Sequence, residues 1–329
     1  MHRIVEQVFD ILTAPGPRLP AIAAWLAERV WHSNDYPHKD PVEYLKVGEE
    51  QVNELETILS SAAWRVYDEF QSPPPPERNL LSFLTEQRPC AAVIFDGLSL
   101  REIPAILHLA NQSGFHVTGT GFSQAAIPSE TIDFVAQRLG LPNTSPVQLP
   151  TRQTLREKGI AAYYYSYANI REQLDTSAPA LLIWSSFPDN TYKDSGARFA
   201  EHFGQLDGTL KAAWANTVQQ IPSGRRILIT SDHGYVFFGS SFSLPRKNEE
   251  LVEITRRFAG QRSCRLQDGE RPLDHPDVAV LSDPTGKQVM MLRGRVQTHV
   301  PGEQSNRLYK HGGLSLMEML TPWVVLEKA

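Results

Sequence analysis

The chain has 329 residues, 41% hydrophobic and 21% charged, which is enough apolar material for a sizeable core in one large domain or two small ones. With 37 Asp and Glu against 32 Lys and Arg the net charge is −5, so no overall positive field holds nucleic acid non-specifically and any such contact has to be local. Two cysteines are too few for a disulfide framework, the opening residues lack a signal peptide's apolar stretch, and no apolar run nears the about 20 residues of a membrane-spanning helix; a cytoplasmic protein without a membrane anchor is expected.

The first seventy residues read as helical. Val5, Val8, Phe9 and Leu12 share one face, and Val52, Leu55, Leu59, Ala62, Val66 and Phe70 recur at steps of three and four. Such a stripe either packs on the rest of the chain or docks a partner. Pro73 to Pro76 forces an extended segment, which sets a boundary between an N-terminal helical region, 1–76, and a second unit, 77–329. Beyond it the pattern becomes strand, loop, helix. Continuous apolar runs at 91–95, 180–184 and 226–230 read as strands buried on both faces, with helices at 100–110 and about 197–218. This alternation predicts an α/β fold, a mostly parallel sheet covered by helices on both faces. The stretches at 289–299 and 323–326 are read as added edge strands, and 244–265 as a basic helical insertion.

Two of the strands end in acids, Asp96-Gly97 and Asp232-His233-Gly234. In an open α/β sheet the ligand crevice lies outside the carboxyl ends of the strands, so these acids converge there. Carboxylate oxygen beside imidazole nitrogen is a mixture that Zn²⁺ accepts; an ordinary turn after each strand is the competing reading. Thr131, in Pro128-Ser129-Glu130-Thr131, opens a helix that runs to Gly140. There it either caps the helix or stands as an alcohol poised to attack phosphorus in the positive end of the helix dipole. His311, before Gly312-Gly313, is placed to reach a metal from outside the sheet or to serve structure alone. Tyr163, Tyr164, Tyr165 and Tyr167 read as an edge-strand cluster or as a base-stacking surface. Arg246, Lys247, Arg256, Arg257, Arg262 and Arg265 read as a solvated basic face or a phosphate path.

Taken in this order, Asp96-Gly97-Leu98-Ser99-Leu100-Arg101-Glu102, Pro128 to Thr131, Ser231-Asp232-His233-Gly234 and His311-Gly312-Gly313-Leu314-Ser315-Leu316 resemble the PglZ domain of the alkaline phosphatase superfamily. The resemblance implies an alkaline-phosphatase-like fold holding two metal ions, usually zinc, with a threonine or serine that forms a covalent phospho-enzyme. By position, Asp96, Thr131, Asp232 and His233 match the ligands of the metal that activates the nucleophile, Thr131. His311 and Asp189 match ligands of the second metal. The implied activity is phosphodiester or phosphoester hydrolysis on nucleotides or oligonucleotides, in bacterial phage defence or signalling with protein partners of such a system. The chain departs from the pattern at Lys193, where related phosphodiesterases have histidine: His202 supplies the missing nitrogen, Lys193 replaces part of the charge, or the site holds one metal. A catalytically degenerate scaffold that assembles a defence complex is the alternative function.

Overall fold

A computed structural model of the chain describes residues 2–32, 36, 40–166, 174–194, 199–238, 242–298 and 308–328. The N-terminal region is helical, with α1 (His2–Thr13), α2 (Leu19–Trp25) running into a π-turn through Val30, and α3 (Pro41–Ala62). Asp40 starts α3: its Oδ1 accepts from the Val42 and Glu43 N–H groups at 3.0 Å, while Pro41 occupies the first position, where no donor is needed. Val52, Leu55 and Leu59 of α3 bury with Val66 and Phe70 in one hydrophobic cluster that also holds Val93 and Phe95. The stripe therefore packs on the rest of the protein. Phe9 and Ala62, expected on the buried face, are exposed; Ile4 and Val8 form the buried side of α1.

The expected strands form as read. After α4 (Leu80–Glu86) come β1 (Cys90–Phe95), α5 (Ile103–Gln112), β2 (Phe115–Gly119), β3 (Phe122–Gln124), α6 (Thr131–Leu139), α7 (Gln153–Glu157), β4 (Ile160–Tyr165) and β5 (Ala180–Ser185). Then follow α8 (Asp189–Asp194), α9 (Phe199–Asn216), β6 (Arg226–Thr230) and β7 (Val236–Phe237). The remainder is α10 (Asn248–Phe258), β8 (Ser263–Arg265), β9 (Val278–Ser282), β10 (Gln288–Leu292), β11 (Tyr309–Lys310), α11 (Leu316–Met319) and β12 (Leu320–Lys328). The main sheet runs β2-β12-β6-β1-β5-β4, with β3 also paired to β12. The β6–β1–β5–β4 pairs are parallel and β12 alone runs against its neighbours. Alternate residues of β1 face opposite cores: Ala91, Val93 and Phe95 meet α3, α5 and α9, whereas Cys90, Ala92 and Ile94 meet α4, α6 and α7. Helices thus cover both faces, as expected.

Two expectations about the later strands are overturned. Residues 323–326 form no edge: β12 lies inside the sheet between β2 and β6, because its alternating apolar side chains are needed by both cores. Residues 289–292 belong to β10, the centre of a separate β8-β10-β9 sheet whose own cluster of Ile254, Phe258, Val278, Met290 and Leu292 is closed by α10. The direction of β12 positions the site. The register pairs Phe95 with Ser185 and Ile94 with Thr230, so β1, β5 and β6 end at a common rim, and antiparallel β12 begins there with Trp323 opposite Thr230. The chain just before β12 therefore lies on that rim. Gln124, the end of β3, pairs with Leu320 and delivers the start of α6 to the same place.

Among the described residues no helix is long and apolar enough to cross a membrane. Cys90 and Cys264 are both free.

Candidate metal centre

The rim assembles five separated segments, carrying Asp96, Thr131, Asp189, Asp232 with His233, and His311. Asp96, Asp232 and His233 each offer a ligand atom within 4.8 Å of the others. Asp232 and His233 are buried, and Asp96 is 9% exposed. Thr131 Oγ1 donates to Asp232 Oδ2 at 2.7 Å and lies 3.3 Å from His233 Nε2. The threonine hydroxyl is thus turned toward the acid and the imidazole, and it does not cap α6. The Ser129 hydroxyl is engaged elsewhere: it donates to the Gly313 carbonyl at 2.9 Å and accepts from the Gly312 N–H at 3.0 Å.

The His233 ring is fixed by its own backbone neighbour. Its Nδ1 lies 2.9 Å from the Gly234 carbonyl, which can only accept, so Nδ1 carries a proton and Nε2 is turned toward Thr131, Asp232 (3.5 Å) and Asp96 (3.7 Å). Asp96 is steered by Trp184, whose Nε1–H donates to Oδ2 at 3.2 Å, and Asp232 by the Gly97 N–H at 3.0 Å. The glycines following the acids serve protein packing. Gly97 has φ +77°, and a Cβ there would sit 3.3 Å from that of Asp189; at Gly234 a Cβ would fall 2.0 Å from the Met317 carbonyl oxygen.

Asp189 and His311 meet on the adjoining side. The Asp189 N–H donates to the Asp96 carbonyl at 2.9 Å, and His311 Nε2 lies 3.7 Å from Asp189 Oδ1. The His311 ring stacks on His233 with centroids 4.0 Å apart and planes at 13°, and its Nδ1 faces the Ser129 carbonyl (3.2 Å) and Glu130 Oε2 (3.3 Å). Two carboxylates and one imidazole, those of Asp96, Asp232 and His233, form a group whose chemistry fits a divalent cation, and Asp189 with His311 places a further carboxylate and imidazole beside it. The side chains of Lys193 and His202, on which the second position turned, lie outside the described residues, as does Tyr167.

Burial by itself lowers the His311 pKa, but the carboxylates of Glu130, Asp189 and Asp232, with the Ser129 carbonyl, outweigh it and raise the group above its ordinary 6.5. A raised folded pKa adds stability that is fully present below the unfolded value and fades as pH rises through the folded one. In metal-free protein, urea unfolding from pH 5 to 9 is therefore expected to show stability falling above the ordinary histidine range, and His311→Gln is expected to flatten that fall. A cation bound at His311 must displace the same proton, so its affinity rises over that window.

Four contributors to the site were not singled out from the sequence. Trp184 reads only as the end of an apolar strand, and Ser231 as part of the loop, although its hydroxyl accepts from the Leu98 N–H at 2.8 Å. Glu130 beside His311 stands in the Pro128 to Thr131 motif without a role of its own, and Glu318, whose buried carboxylate meets Arg262, is visible only as a polar residue just past the His311 motif. The basic insertion proves mostly paired: Arg246 with Asp277, Arg257 with Glu270, Arg262 with Glu318, and Arg265 with Asp133 and Asp283. Neither a solvated basic face nor a phosphate path describes Arg262, which is 2% exposed. Of the tyrosines on β4, an edge strand as expected, Tyr165 is buried and Tyr163 and Tyr164 are half-buried.

No known family profile matches the chain, and no curated protein matches it. Among solved structures it is similar to murine ectonucleotide pyrophosphatase/phosphodiesterase 5, at 13% identity and TM-score 0.40, covering 72% of this chain and 87% of that one. The human counterpart gives 12% and 0.43 over 72% and 87%. Phosphonoacetate hydrolase from Sinorhizobium meliloti 1021, in complex with phosphonoacetate, gives 12% and 0.36 over 73% and 90%. These are alkaline-phosphatase-superfamily proteins. At such scores the likeness adds nothing about activity.

Proposed function

We propose that the chain is a metal-dependent phosphoester hydrolase with Thr131 as its nucleophile. One observation carries the reading: the Thr131 hydroxyl, at the first position of α6, donates at 2.7 Å to a buried aspartate that belongs to a three-residue cluster of ligand atoms. Asp96, Asp232 and His233 would hold one divalent cation, with Thr131 beside it, and Asp189 and His311 a second. A bound cation would supply Lewis acidity toward the alcohol and the phosphoryl oxygens. Asp232 orients the Thr131 hydroxyl and is placed to receive its proton; the oxygen then bonds to phosphorus as the P–O bond to the leaving group breaks, and the departing alkoxide takes a proton from water. The amino end of α6 offers N–H groups and a positive dipole end to the phosphoryl oxygens. Water hydrolysis of the phosphothreonine returns the alcohol.

Zinc as the cation, a nucleotide or oligonucleotide phosphodiester as substrate, and a setting in phage defence are supported by the PglZ resemblance of the motifs. Turnover of nitrophenyl phosphodiester and monoester, measured on chelator-treated protein before and after adding back Zn²⁺ or Mn²⁺, tests the hydrolase reading. Activity that vanishes with the metal and returns with it is expected. A folded, metal-loaded protein without turnover on either ester would instead favour the scaffold.

A further inference from the structure

We propose that Glu318 is the positioning residue that sets the two histidine-bearing segments of the rim against each other, an inference that rests on His233 and His311 being ligand donors. Glu318 is fully buried. Its Oε1 accepts from the Gly313 N–H at 2.9 Å and from Arg262 Nε at 2.6 Å; its Oε2 accepts from the Ser315 N–H at 3.1 Å and from Arg262 Nη2 at 2.7 Å. The carboxylate therefore grips the loop that follows His311. The backbone carbonyl of the same residue accepts from the Gly234 N–H at 2.8 Å, one position beyond His233. Side chain and main chain of one residue thus hold both segments, and the two imidazoles stack between them.

A capping box on α11 would need only the bonds between Glu318 and Ser315. The Gly313 and Arg262 contacts exceed that requirement. Arg262 is itself fixed, because its guanidinium also donates to the Val296 carbonyl at 2.8 Å and the Gly294 carbonyl at 2.6 Å. A planar fork meeting both carboxylate oxygens sets the direction of Glu318 as well as its charge. The separate β8-β10-β9 sheet thereby acquires a purpose: the loop before β8 delivers the arginine that aligns the metal centre.

The test uses Glu318→Asp, which keeps the charge but withdraws it by one methylene, and the neutral pair Arg262→Met with Glu318→Gln, which leaves no buried charge without a partner. In metal-free protein, histidine-ring NMR is expected to show a ring-to-ring nuclear Overhauser effect between His233 and His311 that is lost in both variants. Zinc affinity by calorimetry is expected to fall about 10- to 100-fold, the usual effect of losing a residue that orients a metal ligand. A folded variant that keeps the ring contact, with zinc affinity within about twofold of wild type, would overturn the proposal. Should wild type bind no cation, the hydrolase reading fails while the ring contact still judges Glu318. If both variants unfold, amide exchange on the wild-type chain decides: protection at Gly313 and Gly234 supports the arrangement, and exchange at open-loop rates rejects it.

Discussion

Replacing Thr131 by alanine is expected to reduce phosphoester turnover by at least about 10³-fold, since removal of an attacking group leaves only the catalysis that electrostatics and binding supply. The substitution deletes an oxygen and a methyl group at a half-buried position and leaves Asp96, Asp232 and His233 in place, so metal content and folding should survive. Thr131→Ser, which keeps the hydroxyl beside Asp232, should retain measurable activity. Steady-state kinetics with a nitrophenyl ester, alongside metal analysis of each variant, provide the check. A Thr131→Ala enzyme working within tenfold of wild type would dismiss this alcohol as nucleophile, whatever the metal does.

The second large effect concerns stability. Arg295 is fully buried; its Nε donates to Glu56 at 2.8 Å and its Nη2 to Glu49 at 2.7 Å, both acids being fully buried on α3. Arg101, from the loop after β1, pairs with Glu49 as well. Arg295→Met is expected to cost about 3–5 kcal/mol in urea denaturation followed by circular dichroism, because it leaves buried carboxylate without its cation. Burial already raises the Glu56 pKa, with Arg295 the main opposing influence, so the variant should also take up a proton at Glu56. A loss below about 1 kcal/mol would show that water or another cation reaches this network. Glu56 also accepts the Leu316 N–H at 2.7 Å, so this change reaches the segment that follows His311.

The parallel core of the fold was legible because its strands are buried on both faces and therefore appear as unbroken apolar runs, as at Ala91 to Phe95 and Ala180 to Trp184. Asp96, Asp232 and His233 were legible for a related reason: a polar residue at the end of such a run has only the rim to occupy. Strand direction was not encoded. Trp323 to Leu326 has the same apolar character whether it lies at an edge or in the middle, and whether it runs with or against β6. Pairing of charge was equally hidden. Glu49 and Glu56 look like solvated helix residues, yet they fall three or four positions from Val52 and Leu59, on the buried stripe of α3. A carboxylate on an apolar face signals a cation elsewhere in the chain, but nothing local says that Arg101 and Arg295 are that cation. Arg262, placed among basic neighbours, concealed its link to Glu318 in the same way.

The placement of β12 also bears on how the molecule comes together. β2, at residues 115–119, pairs with a strand that begins about two hundred positions later, so this side of the sheet closes only after a very long loop has been drawn in, a slow event by the rules of chain entropy. The residues leading into β12 carry His311 and Glu318. The residues that lead into β12 thus reach the rim by the same long-range closure that pairs β12 with β2 and β6.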